Sequence, residues 1–492
     1  MTRRRDRRIA CWLGLAALLA YLPFVHGHFA GTDEMGVFLT TRALYEEGSL
    51  EVRAGPHRFA GRDGRTYAHF APALPLLALP LYALGDAAGR ALPASFARAL
   101  SGRPAETDRI DTLGSPEAFA VALTPALASA LLVALFYGVE RRLGASVRAA
   151  LAAAAVLGGA SYVATHSVYF LRHTPEALTW LAGFAALLAF REHGRLRALA
   201  AASGLASATL LVAVPATVAL PPLAAYGLWL AWPRLRAGPP AERARLLAAA
   251  LLPALAVLAL HVAHNHALWG TFLDSPMVAQ RKGFTTPLYV GLWGFLLSPG
   301  ASVFLYSPPL LLVGWMLPGF WRARRAECAV AVASALALLL FCAGFAHWHG
   351  LWSAPGPRYV FLLTPLLLLP LGPWLDAAGP RGRRALLGLA AAGVAVQLVL
   401  MLARWSAVIR RMDYHAATLR SGFDFLFVPD ESPLLGAARV VFAGDVDAWL
   451  YGLATGFDGA PGAPLAAALL LASWALALGF ALGRLRRALR GG

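Results

Sequence analysis

Charge is what this chain of 492 residues has least of: Asp, Glu, Lys and Arg together make up only 14%. Set against 59% hydrophobic residues and a positive mean hydropathy, that shortage excludes an ordinary soluble protein. Lysine is almost missing, with Lys282 alone beside 42 arginines. Such a bias is the habit of a GC-rich genome, so abundant arginine does not by itself speak for nucleic acid, and no nucleic-acid partner is expected. Cysteine is scarce too. Cys11, Cys328 and Cys342 sit in or beside apolar runs, odd in number and without metal-like spacing, which supports neither a disulfide framework nor a zinc site.

Apolar runs of membrane-spanning length, roughly 17 to 25 residues, are plentiful. Candidate spans cover 9–25, 117–139, 146–164, 176–190, 196–213, 216–232, 246–264, 300–320, 328–346, 359–375, 385–402 and 464–483. The first lacks a small-residue cleavage site and reads as a retained span. The expected fold class is therefore all-α integral membrane, with about 12 transmembrane helices. A further apolar stretch, 70–92, is interrupted by Pro72, Pro75, Pro80 and Gly85. Prolines this dense remove backbone hydrogen bonds that lipid cannot replace, so it reads as an interfacial or re-entrant piece of the first outer loop.

Charge tests that topology. If 70–92 does not cross, "MTRRRDRR", "ERRLGASVR", "REHGRLR", "PRLRAGPPAERAR", "WRARRAE", "DAAGPRGRR" and "GRLRRALRGG" share one side, with 25 arginines against six acids, or +19. The remainder holds 18 basic residues against 20 acids, or −2. Short arginine-rich loops stay inside, so both termini are expected to be cytoplasmic. The net charge of +17 is then a topology signal. The domain plan is 1–402 as the polytopic transmembrane unit with outer loops 26–116, 165–175, 265–299 and 347–358. A small outer region follows at 403–463, then a last helix with its basic tail at 464–492.

The chemical candidates gather on the outer side. "GTDEMGVFLTTRALYEEGSL" reads as a turn followed by an interfacial helix, with Thr32 or Asp33 as a natural N-cap. The adjacent acids Asp33 and Glu34 thus admit two readings, helix capping or a base facing a lipid-borne substrate. Asp63-Gly64 predicts a tight hairpin. Tyr67 and His69 follow it, either as interface anchors or as the lining of a substrate groove. In "THSVYFLRHTPEALTW", Pro175 and Glu176 suit a helix start; alternatively Arg172 or His173 contacts a phosphate and Glu176 binds or orients. His261, His264 and His266 lack a matching carboxylate for a metal site, whereas Arg281 and Lys282 suit either plain surface solvation or a phosphate. In "AHWHGLWSAPGPRYVFLL", Trp348 and His349 precede Arg358, which is costly at the mouth of an apolar helix unless it snorkels or meets an anion.

These residues, in this order, resemble the GT-C glycosyltransferases of the protein O-mannosyltransferase and aminoarabinose transferase superfamily, and more closely their bacterial phospholipid-carrier-dependent relatives. The likeness lies in "GTDEMGVF", "GRDGRTYAHFAPALPLLALPLYALG", "HNHALWGTFLDSP", "GFLLSPGASVFLYSPPLLL", "HWHGLWSAPGPRYVFLLTPLLLLPL" and "FVPDESPLLG". The resemblance implies inverting transfer of a sugar from a polyprenyl-phosphate donor to a glycan, lipid or protein acceptor. The family's base matches Asp33, with Glu34 as the fallback. Arg358, Arg172 and Lys282 would hold the donor phosphate, and Tyr67, His69, His173, Glu176, Trp348 and His349 would contact substrate. No metal ligands are assigned, and a divalent cation stays open as a cofactor. The implied setting is a bacterial inner membrane, with the site facing the periplasm or exterior. No large soluble C-terminal domain is expected, which would be a departure from better-known members. A lipid-linked sugar flippase and a polysaccharide ligase are the rival readings; the near absence of charge within the spans argues against the first.

Overall fold

A computed structural model describes residues 2–29, 31–92, 115–272, 283–418, 424–455 and 462–490. Among these, seven helices are long and apolar enough to cross a membrane: Arg4–Phe24, Pro116–Leu143, Val214–Ala237, Pro240–Trp269, Arg325–Ala343, Pro380–Leu402 and Ala463–Arg490. The other five expected spans fall on helices that are short, broken or, for His173–His193, charged at both ends. Proline explains two of the breaks. Pro308 and Pro309 turn the 300–320 run into a short helix, a 3-10 turn and the helix Val313–Ala323. Pro365, Pro370 and Pro373 divide 359–375 into Leu363–Leu368 and Leu371–Ala377.

Broken helices free backbone groups that need partners away from water. Gln397 supplies two of them. Its amide donates to the Tyr306 carbonyl at 2.7 Å, and its oxygen accepts from the Thr165 hydroxyl at 2.7 Å. Ser307 Oγ accepts from the Tyr162 N–H at 3.0 Å, and Trp180 and Ser334 both donate to the Ala219 carbonyl. The bundle interior is thus a polar-stitched core around Trp180, Trp348 and Trp405, each fully buried.

The seven arginine-rich segments expected on one side are tied to one another. Arg5 donates to the carbonyls of Ala488 and Leu489, and Asp6 meets Arg141 at 3.0 Å. Arg142 pairs with Glu192, Arg191 with Glu327, Arg234 with the Gly194 carbonyl, and Ser146 with Asp376. They form one connected layer at one end of the bundle.

The opposite end, to which the first helix α1 (Thr2–Tyr21) leads, carries α2 (Thr32–Glu47), the hairpin β1 (Arg58–Ala60) and β2 (Thr66–Ala68), and α3 (Ala73–Ala91). The expected hairpin is present: Phe59 faces Tyr67 in antiparallel register, and Gly64 takes the left-handed turn conformation at φ 79°. α3 is a continuous helix despite Pro80, buried along Leu74, Ala78 and Tyr82 and exposed along Leu76, Leu77 and Leu84. A helix buried on one stripe and apolar on the other is built to meet lipid.

Candidate active site

The start of α2 decides which acid does what. Its N-cap is Gly31, one residue before Thr32 and two before Asp33, the caps expected. A Cβ at Gly31 would stand 2.9 Å from Ser353, so the position is closed to side chains. The side chain of Glu34 reaches back to the Gly31 N–H at 3.0 Å with one oxygen. Its other oxygen accepts the Phe170 N–H at 2.5 Å. Glu34 is 1% exposed; it caps α2 and pins the second outer loop against it. Asp33 is thereby released from capping.

Asp33 turns to the wall of a cavity of about 210 Å³. Its Oδ2 accepts from Arg358 Nη1 at 2.7 Å, and its Oδ1 lies 3.2 Å from His57 Nε2. Burial opposes ionisation of Asp33, yet the Arg358 guanidinium holds its carboxyl well below the usual carboxylate range. Arg358 is 5% exposed, and its Nε is buried with no hydrogen-bond partner. Gly350, at φ 64°, keeps the space there open: a Cβ would lie 3.0 Å from Arg358 Cγ and 3.1 Å from Nε. An unsatisfied buried guanidinium edge is a standing demand for an anion.

Thr32, His57, His69, Arg172, His173, His347, Trp352 and Tyr359 also line the wall. A second cavity of about 560 Å³ shares His69, Phe70, Arg172, His173, Phe345 and Tyr359 with the first. It runs on past Glu176, His261, His264, Leu338 and Phe341, with a mostly apolar lining. His173 Nδ1 stands 3.6 Å from Glu176 Oε2. Half-buried His69 is pushed down to about 4 by burial and by His57.

The structure therefore brings Asp33, Arg358, Arg172, His69, His173 and Glu176 to these two joined cavities. Tyr67 lines neither, because its hydroxyl bonds Asp63 at 2.6 Å and its ring packs on Trp269 within the hairpin junction. Trp348 is spent on packing against Phe295 and Gly294. His349 is buried behind the wall, accepting the Leu351 N–H at 3.2 Å. Lys282 lies outside the described residues. His57, His347, Trp352 and Tyr359 line the cavity without having been singled out. His57 stands in "AGPHRF", whose glycine and proline signal a bend but not what the bend presents. Among the described residues no group of three or more His, Cys, Asp or Glu side chains could hold a metal ion.

No protein-family model matches the chain, and no curated protein matches it. Solved structures do. ArnT from Cupriavidus metallidurans bound to undecaprenyl phosphate aligns at 16% identity with a TM-score of 0.50, over 91% of this chain and 78% of that one. Its apo state aligns at 16% identity and 0.46, over 90% and 77%. The archaeal oligosaccharyltransferase AglB from Archaeoglobus fulgidus, in complex with an inhibitory peptide and a dolichol-phosphate, gives 14% and 0.46. That match covers 86% of this chain, which spans 60% of that protein's length. The first likeness establishes the architecture: this chain has a GT-C glycosyltransferase-like fold.

Proposed function

We propose that the protein is a membrane glycosyltransferase that moves a sugar from a polyprenyl-phosphate-linked donor to an acceptor hydroxyl, with inversion at C1. The observation that carries this reading is the state of Arg358. Its guanidinium is buried, holds Asp33 by one nitrogen and leaves Nε unpaired, on a polar cavity that opens into a larger apolar one. A lipid phosphate fits both halves of that description: the phosphate on Arg358 and Arg172, the prenyl chain along Leu338 and Phe341. C1 of the sugar then faces Asp33. Asp33 takes the acceptor proton as the new bond forms, and the arginines take the charge that develops on the leaving phosphate. Lys282 is a third candidate for the phosphate, and Glu34 serves by holding α2 and the second loop in register. The fold shared with ArnT, a protein seen with undecaprenyl phosphate, supports the donor class.

In this reading twelve segments cross the membrane and α3 lies in the outer interface. The connected arginine layer is cytoplasmic, with both termini, and the cavity faces the periplasm or exterior of a bacterial inner membrane. A glycan, a lipid or a protein would each serve as acceptor. The test is a transfer assay with the purified chain in lipid, a panel of polyprenyl-phosphate sugars and a membrane-extract acceptor pool. Transfer by wild type, lost by roughly a hundredfold or more in folded Asp33→Asn, is the expected result. If wild type consumes no donor in the panel, the reading fails and the flippase and ligase readings move ahead.

A further inference from the structure

We infer that His57 receives the acceptor proton from Asp33, so that the base of this site is an Asp33–His57 pair rather than a lone carboxylate. This rests on the glycosyl-transfer reading above. Among the described residues His57 is the only non-glycine with a positive φ, at 56°. The bend before it is stapled, with the Arg58 guanidinium donating to the carbonyls of Gly55 and Arg53. This strained geometry, of a kind that gathers at functional sites, turns the imidazole onto the cavity wall. The ring is fixed there edge-on to His69 at 5.2 Å and Phe70 at 5.8 Å, with Nε2 3.2 Å from Asp33 Oδ1 and 2.9 Å from Thr32 Oγ1.

The chemistry needs such a partner. A carboxylate gripped by Arg358 is a weak base, and a proton left on it would weaken the grip on Arg358 just as the phosphate departs. Passing the proton on removes both difficulties. The acceptor oxygen bonds to C1, the C1–O bond to phosphate breaks, and its electron pair leaves with the phosphate toward Arg358. The hydroxyl proton goes to Asp33 Oδ1 and then to His57 Nε2, whose ring begins with its proton on Nδ1. Asp33 ends as a carboxylate between two cations. The titratable and charged groups that line the cavity with His57 are Asp33 from α2, His69 after β2, Arg172 and His173 from the second loop and the helix it opens, and His347, Arg358 and Tyr359 from the fourth. His57 acts through Asp33, so it is a positioning residue with a proton to hold.

The experiment is the pH dependence of kcat for the full chain in lipid nanodiscs, with a polyprenyl-phosphate sugar that wild type uses. Wild type should lose activity at low pH, where a proton acceptor is already filled. In His57→Gln, which keeps a hydrogen-bonding side chain but takes no proton, kcat should fall by roughly 10²-fold with little change in donor KM, and that acid limb should vanish. His57→Gly, which suits the positive φ, should fold well and regain turnover when free imidazole is added. A His57→Gln enzyme within about threefold of wild type with the same acid limb overturns the assignment. So does a folded His57→Gly enzyme that imidazole does not rescue. A wild type that transfers no sugar from any donor overturns the transferase reading and this step with it. Indifference to His57 in an active enzyme overturns this step alone.

Discussion

Asp33 and Arg358, separated by 325 positions in sequence, meet at 2.7 Å through Oδ2 and Nη1. In the proposed reaction the acceptor hydroxyl would meet the carboxylate and the donor phosphate the guanidinium. The pair also has a pH signature. Because the folded-state pKa of Asp33 is depressed, the pair contributes stability above the ordinary carboxylate pKa of about 3.9 and loses it as pH falls through the lowered value. Thermal unfolding of wild type and Asp33→Asn should therefore differ most near neutrality. The two melting curves should converge as pH drops below about 4.

Arg358→Lys tests geometry rather than charge. An ammonium is a point donor and cannot hold Asp33 while offering a second, planar edge. Donor KM should rise by roughly tenfold or more, the order expected when one charge-assisted hydrogen bond worth about 1.5–3 kcal/mol is lost. Undecaprenyl phosphate added at saturating concentration should raise the melting temperature of wild type and raise that of the variant much less.

Gly350→Ala asks for the same site from the other side. The new methyl would sit against Arg358 Cγ and Nε, on a backbone at φ 64° that disfavours a side chain. Binding of undecaprenyl phosphate, followed by tryptophan fluorescence, should weaken by about tenfold, with Asp33 chemistry otherwise intact.

Glu34→Gln separates holding from catalysis. A glutamine offers one acceptor oxygen where two N–H groups, those of Gly31 and Phe170, now find one each. Stability should fall by about 1–3 kcal/mol. Turnover should fall less than in Asp33→Asn, which a paired melting and kinetic measurement would reveal. Equal losses of turnover would return Glu34 to the list of bases.

Gln397→Leu addresses the stitched core. It strands the Tyr306 carbonyl and the Thr165 hydroxyl in a place without water. The cost should be about 2–4 kcal/mol, seen as a lowered melting temperature in detergent.

Much of this site could be read from residue order alone. Asp33, Arg172, His173 and Arg358 announce themselves because charge is expensive beside apolar runs, and cost points to use. Helix existence was legible for the same reason, since hydropathy survives without knowledge of partners. The division of labour between Asp33 and Glu34 was not. It depends on Gly31 approaching Ser353, a contact between positions more than 300 apart. His57 left no trace because a bend-forming Gly-Pro says where the chain turns and nothing about what it faces. Tyr67 and Trp348 misled in the opposite way: aromatics near an interface look like lining, and only packing reveals that their rings are already occupied.

The first and last membrane helices lie antiparallel along their length. Arg5 reaches Leu489, Trp12 stacks edge-on with Phe480 and lies under Arg484, and Trp474 donates to the Leu19 carbonyl. During synthesis the earliest helix must therefore wait for the last. While the ribosome makes the intervening segments, that helix keeps a face its eventual neighbour has not yet covered, and the face is covered only when Ala463–Arg490 is inserted. That contact is consequently a late event, and a nascent chain halted before residue 463 should leave this face of Arg4–Phe24 open to lipid.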